Sequence, residues 1–282
     1  MKPPPVTNAS MEKGGNLAIV LDRAAIECMA HNLGLAWKGF QSKKFIARAL
    51  DGLEPLTLMA RADHIATAMR AHLPERFGDA CRILIDSLGE ARAATSGGGL
   101  EVFFYLPHVR FVANYGIDPA GNGGADPFET AMAAQYELTK RFTAEFSMRP
   151  FLDHDLKRTI KRLMEWTNDP DPHVRRLCSE GSRPRLPWAQ RVQALVRDPR
   201  PILPVLEALK DDPELYVRRS VANSIGDIAK DHLDVALEIC GKWLKGASDD
   251  RLWVVRHAVR YPARKGNPRA LELRRLAGGR GG

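Results

Sequence analysis

Two glutamates stand in the same relation to a basic pair. Lys140-Arg141 precedes Glu145 and Arg175-Arg176 precedes Glu180, with each acid four residues after the second base of its pair. Placed alike, the two carboxylates are candidates for a functional role of the electrostatic or general-base kind. The bland alternative is an intrahelical ion pair at i,i+4, worth about 0.2–0.5 kcal/mol. Against that as the whole account, basic-then-acidic is the weaker order for a helix pair. The neighbours are also inward-facing types: Phe142, Ala144, Phe146 and Met148 around one acid, Leu177, Cys178 and Ser179 around the other. Glu180 then runs into Gly181-Ser182-Arg183-Pro184-Arg185-Leu186-Pro187-Trp188, a stiff basic turn ending in an indole.

The elements that position these acids follow from a repeat. His173-Val174-Arg175-Arg176, Tyr216-Val217-Arg218-Arg219 and Trp253-Val254-Val255-Arg256 each follow an Asp-rich turn (169–172, 211–214 and 248–251), at offsets of 43 and 37 residues. A period near 40 of this composition marks HEAT-like helical hairpins. Such hairpins stack their faces into a continuous core. The expected fold is therefore all-α, a superhelical solenoid of HEAT-like helical hairpin repeats. Extending the frame backwards lays Leu138-Thr139-Lys140-Arg141 over residues 173–176 and Glu145 over Glu180, so both acids are expected on corresponding helical faces. Asn223 and Arg260 hold the same place in the next two repeats.

Upstream, apolar residues recur at three and four, as in Phe45, Ile46, Leu50 and Leu53, and Gly39, Pro55 and Pro74 separate successive helices. Residues 102–112 are aromatic and β-branched, but Pro107 in their middle argues for a short helix rather than a strand. The Gly-rich stretches 96–99 and 119–124 lack the flanking strand and the Lys-Ser/Thr of a phosphate-cradling loop, so they read as loops. The domain is expected over 16–276, between a disordered tail at 1–15 and a flexible Gly-rich tail at 277–282.

The chain of 282 residues carries a net charge of +8, and the excess is uneven: 13 Lys/Arg against 14 Asp/Glu up to Gln135, then 29 against 20 from Tyr136 onward. A half-molecule of that sign attracts polyanions, duplex DNA first among them. Cys28, Cys81, Cys178 and Cys240 are scattered, and no Cys/His ligand spacing occurs, including among His64, His154, His173, His232 and His257. No metal and no cofactor is expected. Trp166, Trp243 and Trp253 read as core residues of their hairpins. There is no signal-peptide pattern and no apolar run of spanning length, so a cytoplasmic protein with no membrane partner is expected.

Three segments together resemble a known family. They are Phe142-Thr143-Ala144-Glu145-Phe146-Ser147-Met148-Arg149-Pro150-Phe151, the run from His173 to Trp188 given above, and Leu215-Tyr216-Val217-Arg218-Arg219-Ser220-Val221-Ala222-Asn223 with Asp227-Ile228-Ala229-Lys230-Asp231-His232. They look like the AlkC branch of the HEAT-like-repeat DNA alkylation repair glycosylases, and the likeness runs from about residue 16 to 270. The resemblance implies a hydrolase of base excision repair acting on double-stranded DNA. It would remove bases methylated at ring nitrogens, chiefly 3-methyladenine, with 3-methylcytosine and 1-methyladenine as further substrates. It also implies Glu145, Glu180 and Asp227 as the active-site acids, and Arg149, Arg176, Arg183 and Trp188 in the motifs that approach DNA. Arg185, Arg218, Arg219 and Lys230 join them as DNA-binding candidates from the same segments. A monomer is expected. Some members carry a C-terminal immunoglobulin-like domain that grips DNA, which a chain ending in the glycines of 278–282 is expected to lack. The competing expectation is a non-catalytic HEAT scaffold that binds DNA or a protein through the same surface.

Overall fold

The computed structural model describes residues 1–12, 15–95 and 99–279. Parts of both expected tails and of the Gly-rich stretch at 96–99 therefore lie outside the described residues. Among those described, all regular structure is helical, and it divides into two units, Met1–Pro150 and Phe151–Gly282.

In the first unit a 3-10 turn (Leu17–Leu21) opens the fold, with the Asn16 side chain accepting from the Ala18 amide as its cap. There follow α1 (Arg23–Ala36), α2 (Ser42–Leu50), α3 (Leu58–His72), α4 (Phe77–Asp86), α5 (Leu106–Tyr115) and α6 (Phe128–Thr139). Gly39, Pro55 and Pro74 fall in the three loops that separate α1 to α4. The aromatic run at 100–115 is a 3-10 turn leading into α5, and Pro107 sits in the first turn, where no intrahelical amide bond is lost. α1 pairs with α2, α3 with α5 and α4 with α6. Their shared interior holds Ile26, Met29, Ile65, Met69 and Leu84 fully buried, and Phe77 stacks on Phe111 at 6.1 Å. Buried Arg61 binds four carbonyls, those of Ala18, Leu21, Glu54 and Leu56, and so ties the first turn to the α2–α3 loop. At the start of the chain, Lys2 exchanges hydrogen bonds with the Asn32 side chain on α1.

α7 (Met148–His154) carries the division between units. The second unit contains α8 (Leu156–Trp166), α9 (Pro172–Gly181), α10 (Gln193–Arg197), α11 (Leu203–Leu209), α12 (Leu215–Asp231), α13 (Leu233–Trp243), α14 (Asp249–Ala258), α15 (Arg260–Arg264) and α16 (Pro268–Leu276). The first two repeat segments are the starts of α9 and α12, and the third lies in the middle of α14, whose first turn already holds Asp249 and Asp250. Asp171 caps α9 through the His173 amide, and Ser248 caps α14 through that of Arg251. α12 lies between α9 and α14, and α8, α11 and α13 pack as their hairpin partners. That central place explains why α12 is buried nearly along its length, with small residues at its contacts: Ser179 Oγ donates to Ser220 Oγ at 2.7 Å.

The first base of each pair builds the stack. Arg175 donates through Nη1 to the carbonyls of Asp169 and Pro170 in the turn before its own helix, and clasps Asp212 in the next repeat's turn through Nε at 2.6 Å and Nη2 at 3.1 Å. Arg218 repeats the arrangement on the carbonyls of Asp212 and Pro213 and on Asp250 at 2.6 Å. The third repeat has Val255 at this place, and the ladder ends there. Trp243 is buried with its indole donating to Glu207, Trp253 stacks on His257 at 4.8 Å, and Trp166 is partly buried under Arg162. Cys81, Cys178 and Cys240 are buried thiols and Cys28 is partly exposed.

Candidate active site

Glu180 ends α9 with its side chain buried, 5% exposed. A carboxylate in the last turn of a helix faces the negative end of the macrodipole and needs a local cation. It has two: Arg183 Nη1 at 2.6 Å and Arg176 Nη2 at 3.4 Å, with Ser220 of α12 as a further hydrogen-bond donor. Burial pushes its pKa up, but the two guanidinia and these hydrogen bonds outweigh burial and hold it below the usual carboxylate value. Arg176 also lies over the Tyr216 ring at 5.2 Å.

Asp227 is buried on α12, 2% exposed, with Arg183 Nε on one oxygen and Lys230 Nζ on the other, both at 2.8 Å. One guanidinium thus joins two buried acids from adjacent repeats. The loop after α9 makes this possible by register. Residues 184–185 form a turn after Arg183, which sets the two arginines two residues apart on the loop. Asp227 and Asp231, one turn apart on α12, are separated by about 6.0 Å of helix rise. The match lets Arg185 clasp Asp231 through Nε and Nη2 while Arg183 clasps Asp227. Leu186 is buried beneath the loop. Trp188, beyond Pro187, is 58% exposed and is the one non-glycine residue among those described with positive φ, at 61°. An indole held outward on a left-handed backbone costs about 1–2 kcal/mol.

Glu145 corrects one expectation. α6 stops at Thr139, so residues 140–147 form a turn and Glu145 is not on a helical face. Arg141 bonds Glu137 and the Gly89 carbonyl at 2.7 Å. The turn is fixed by buried Phe142, Ala144 and Phe146 and by Ser147, whose hydroxyl donates to Gln135 at 3.1 Å. Glu145 between them is partly buried, and Thr143 Oγ1 donates to its Oε2 at 2.8 Å. The helical register therefore holds for Glu180, with Arg176 at i,i+4, and fails for Glu145.

The other candidates divide by what they touch. Arg149 is buried on α7, Arg218 is buried in the ladder, Arg219 is exposed on α12 and Lys230 reaches out from α12 to Asp227. Asp231, Ser220 and Asn223 were not singled out as site residues by sequence reasoning. Asn223 is nonetheless where the register pointed: its Oδ1 accepts from Arg260 Nη2 at 3.0 Å, joining the two residues that hold Glu180's place in later repeats. Asp227, Asn223 and Arg260 border a cleft of about 740 Å³. Chemically, the second unit offers two buried carboxylates, each bonded to cationic side chains, an arrangement suited to stabilising a cation.

No protein-family model matches the chain. An uncharacterized protein of Bacillus subtilis, YhaZ, is 32% identical over 259 residues, which are 92% of this chain and 68% of the relative. Among solved structures, the Pseudomonas fluorescens alkylpurine DNA glycosylase AlkC, bound to DNA containing an abasic site analog, matches with a TM-score of 0.79 at 34% identity over 92% of this chain and 67% of that one.

Proposed function

Because this chain belongs to the AlkC family of alkylpurine DNA glycosylases, we propose that it hydrolyses the N-glycosidic bond of cationic N-alkylated bases in duplex DNA. 3-Methyladenine is the chief substrate on this reading, with 3-methylcytosine and 1-methyladenine as further ones. The observation that carries it is the sharing of Arg183 between Glu180 and Asp227.

Methylation of a ring nitrogen leaves the base positively charged, so it departs without protonation and no general acid is needed. The barrier lies in the positive charge that grows on the sugar. Buried acids fixed by a common arginine place carboxylate oxygens at that point, and they need no reorganisation as the bond breaks. Glu145 is assigned to the attacking water, as a base kept partly solvated in its turn, a role typically worth about 10²–10⁴ in rate. Arg183 acts as a positioning residue through the two acids. Trp188 is assigned to the duplex, where an outward indole can meet a cationic base or a sugar by cation–π attraction.

Arg219 and Lys230 are assigned to phosphates, with Arg149, Arg176 and Arg185 in the motifs around them. Arg218 enters through the turns it holds together. Phosphate contacts release counterions, so affinity should fall with salt by about 0.9 in log K per phosphate. The direct test incubates the protein with methylated duplex DNA and scores each free base released. Release of 3-methyladenine is the expected result, and binding without release of any base would favour a scaffold.

A further inference from the structure

Several arginines of the second unit are matched to acids, among them Arg175 to Asp212, Arg185 to Asp231, Arg218 to Asp250 and Arg251 to Asp211. Three that line the cleft beside Asp227 are different. Among the described residues, no carboxylate lies within ion-pairing distance of Arg260, Arg264 or Arg274. Arg260 donates to neutral acceptors only, the His257 carbonyl and Asn223 Oδ1, and Arg264 lies over the Tyr261 ring at 6.0 Å. With Arg183 and Lys230, five cations face this cleft, and its one acid, Asp227, is already bonded by those two.

Such crowding raises the free energy of the empty cleft and is relieved by an anion. Its effect is visible on Arg260: partial burial first, then the neighbouring Arg183 and Arg264, hold its pKa below the usual arginine value against the pull of Asp227. Gly226 of α12 also lines the cleft, close to the Arg260 guanidinium. The cleft's volume of about 740 Å³ exceeds what one phosphate needs, and Tyr261 and Leu271 expose apolar surface on its wall, 39% and 40% accessible.

We propose that this cleft binds one nucleotide unit of a DNA strand, with the backbone phosphodiester on Arg260, Arg264 and Arg274 and the sugar against Tyr261 and Leu271. The assignment deepens the DNA reading above and rests on it. Because Asp227 borders the same cleft, a phosphate seated there registers the strand against the acids.

The test compares the full chain with an Arg264→Gln/Arg274→Gln double variant. Both side chains lie at the surface or close to it, and an unchanged melting temperature verifies folding. On undamaged duplex, the slope of log K against log salt should flatten by about 0.9 for the phosphate lost. Affinity should drop by the same factor on undamaged and alkylated duplex, as expected of a contact that carries no base information. Arg264→Lys/Arg274→Lys should restore most of the slope. A folded Gln variant with the wild-type slope overturns the proposal, including the case in which wild type binds inorganic phosphate and the variant does not, which would make the cleft a site for free anions. The two readings fail separately. Wild type that binds duplex and releases no base removes the glycosylase while the slope still tests the cleft, and normal release with an unchanged Gln-variant slope removes the cleft alone.

Discussion

Replacing Arg183 by Met removes the one cation shared by two buried acids, and the consequences can be worked from the geometry. Glu180 keeps Arg176 at 3.4 Å, and Asp227 keeps Lys230 at 2.8 Å, so each loses its partner on Arg183 and gains an uncompensated like-charged neighbour. The side chains of Arg183, Glu180 and Asp227 are 10%, 7% and 2% exposed, so solvent screens little of the loss. Breaking a buried pair in this way costs about 3–5 kcal/mol, which lowers the melting temperature by on the order of 10 °C. The cost should depend on pH with a defined sign. In wild type, Glu180 sits below its ordinary pKa, so its contribution is present at neutral pH and lost as the pH falls through the folded value. In the variant, burial and the neighbouring carboxylate raise that pKa, so the folded state takes up protons and the deficit against wild type narrows as the pH falls from neutral. Calorimetry of both proteins at several pH values measures it, with Arg185→Met as control for a more exposed pair worth about 1 kcal/mol or less. Arg183→Lys should recover part of the loss, because a point charge cannot span both acids as a guanidinium fork does. A deficit no larger than the control's, or one that does not change with pH, refutes the shared-arginine arrangement.

Trp188→Gly should leave the melting temperature within a few degrees of wild type, since relief of about 1–2 kcal/mol of left-handed strain offsets the glycine's entropy, while affinity for duplex DNA falls; a large loss of stability would mean the indole is packed. Arg175→Met and Asp212→Asn should couple by about 0.5–3 kcal/mol in a double-mutant cycle, and additive effects would remove the inter-repeat ladder. His108, wholly buried against Phe104 and Tyr105, has its pKa pushed by burial from 6.5 to about 3. Between those values only the unfolded chain binds the proton, so stability is full above 6.5 and is lost as the pH falls. His108→Leu should flatten that dependence by up to about 1.4 kcal/mol per pH unit, and an unchanged acid-denaturation profile would contradict it.

The repeat was legible because its signal is local. An Asp-rich turn, an aromatic or His, a valine and a base coincide with the starts of α9 and α12 and fall within α14, and the Pro and Gly breakers fall between helices. Arg176 and Glu180 were legible for the same reason, being one turn apart. Glu145 was found by residue type and resemblance, but its helical register was wrong because α6 ends at Thr139 and the period does not continue through the turn. The roles of Arg175 and Arg218 were hidden: both members of each basic pair look alike in sequence, yet the first faces back to carbonyls five and six residues earlier, while of the second bases Arg176 turns to Glu180 and Arg219 to solvent. Arg183 and Arg185 read as DNA-facing charge, and their carboxylates lie 44 and 46 residues away. Only the match between Arg-x-Arg on the loop and Asp residues four apart on a later helix could have suggested the pairing. Net charge also could not tell which bases are paired: among the described residues, Arg175, Arg183, Arg185 and Arg218 are matched to acids, whereas Arg260, Arg264 and Arg274 of the cleft are not.

The central claim is tested most directly by single-turnover release of 3-methyladenine from methylated duplex by wild type, Glu145→Gln and Glu180→Gln. Each acid acts on the transition state more than on the ground state, so each variant should release the base more slowly by on the order of 10²–10³ while binding DNA equally or slightly more tightly. Absence of release by wild type, or wild-type rates from both folded variants, would contradict the account.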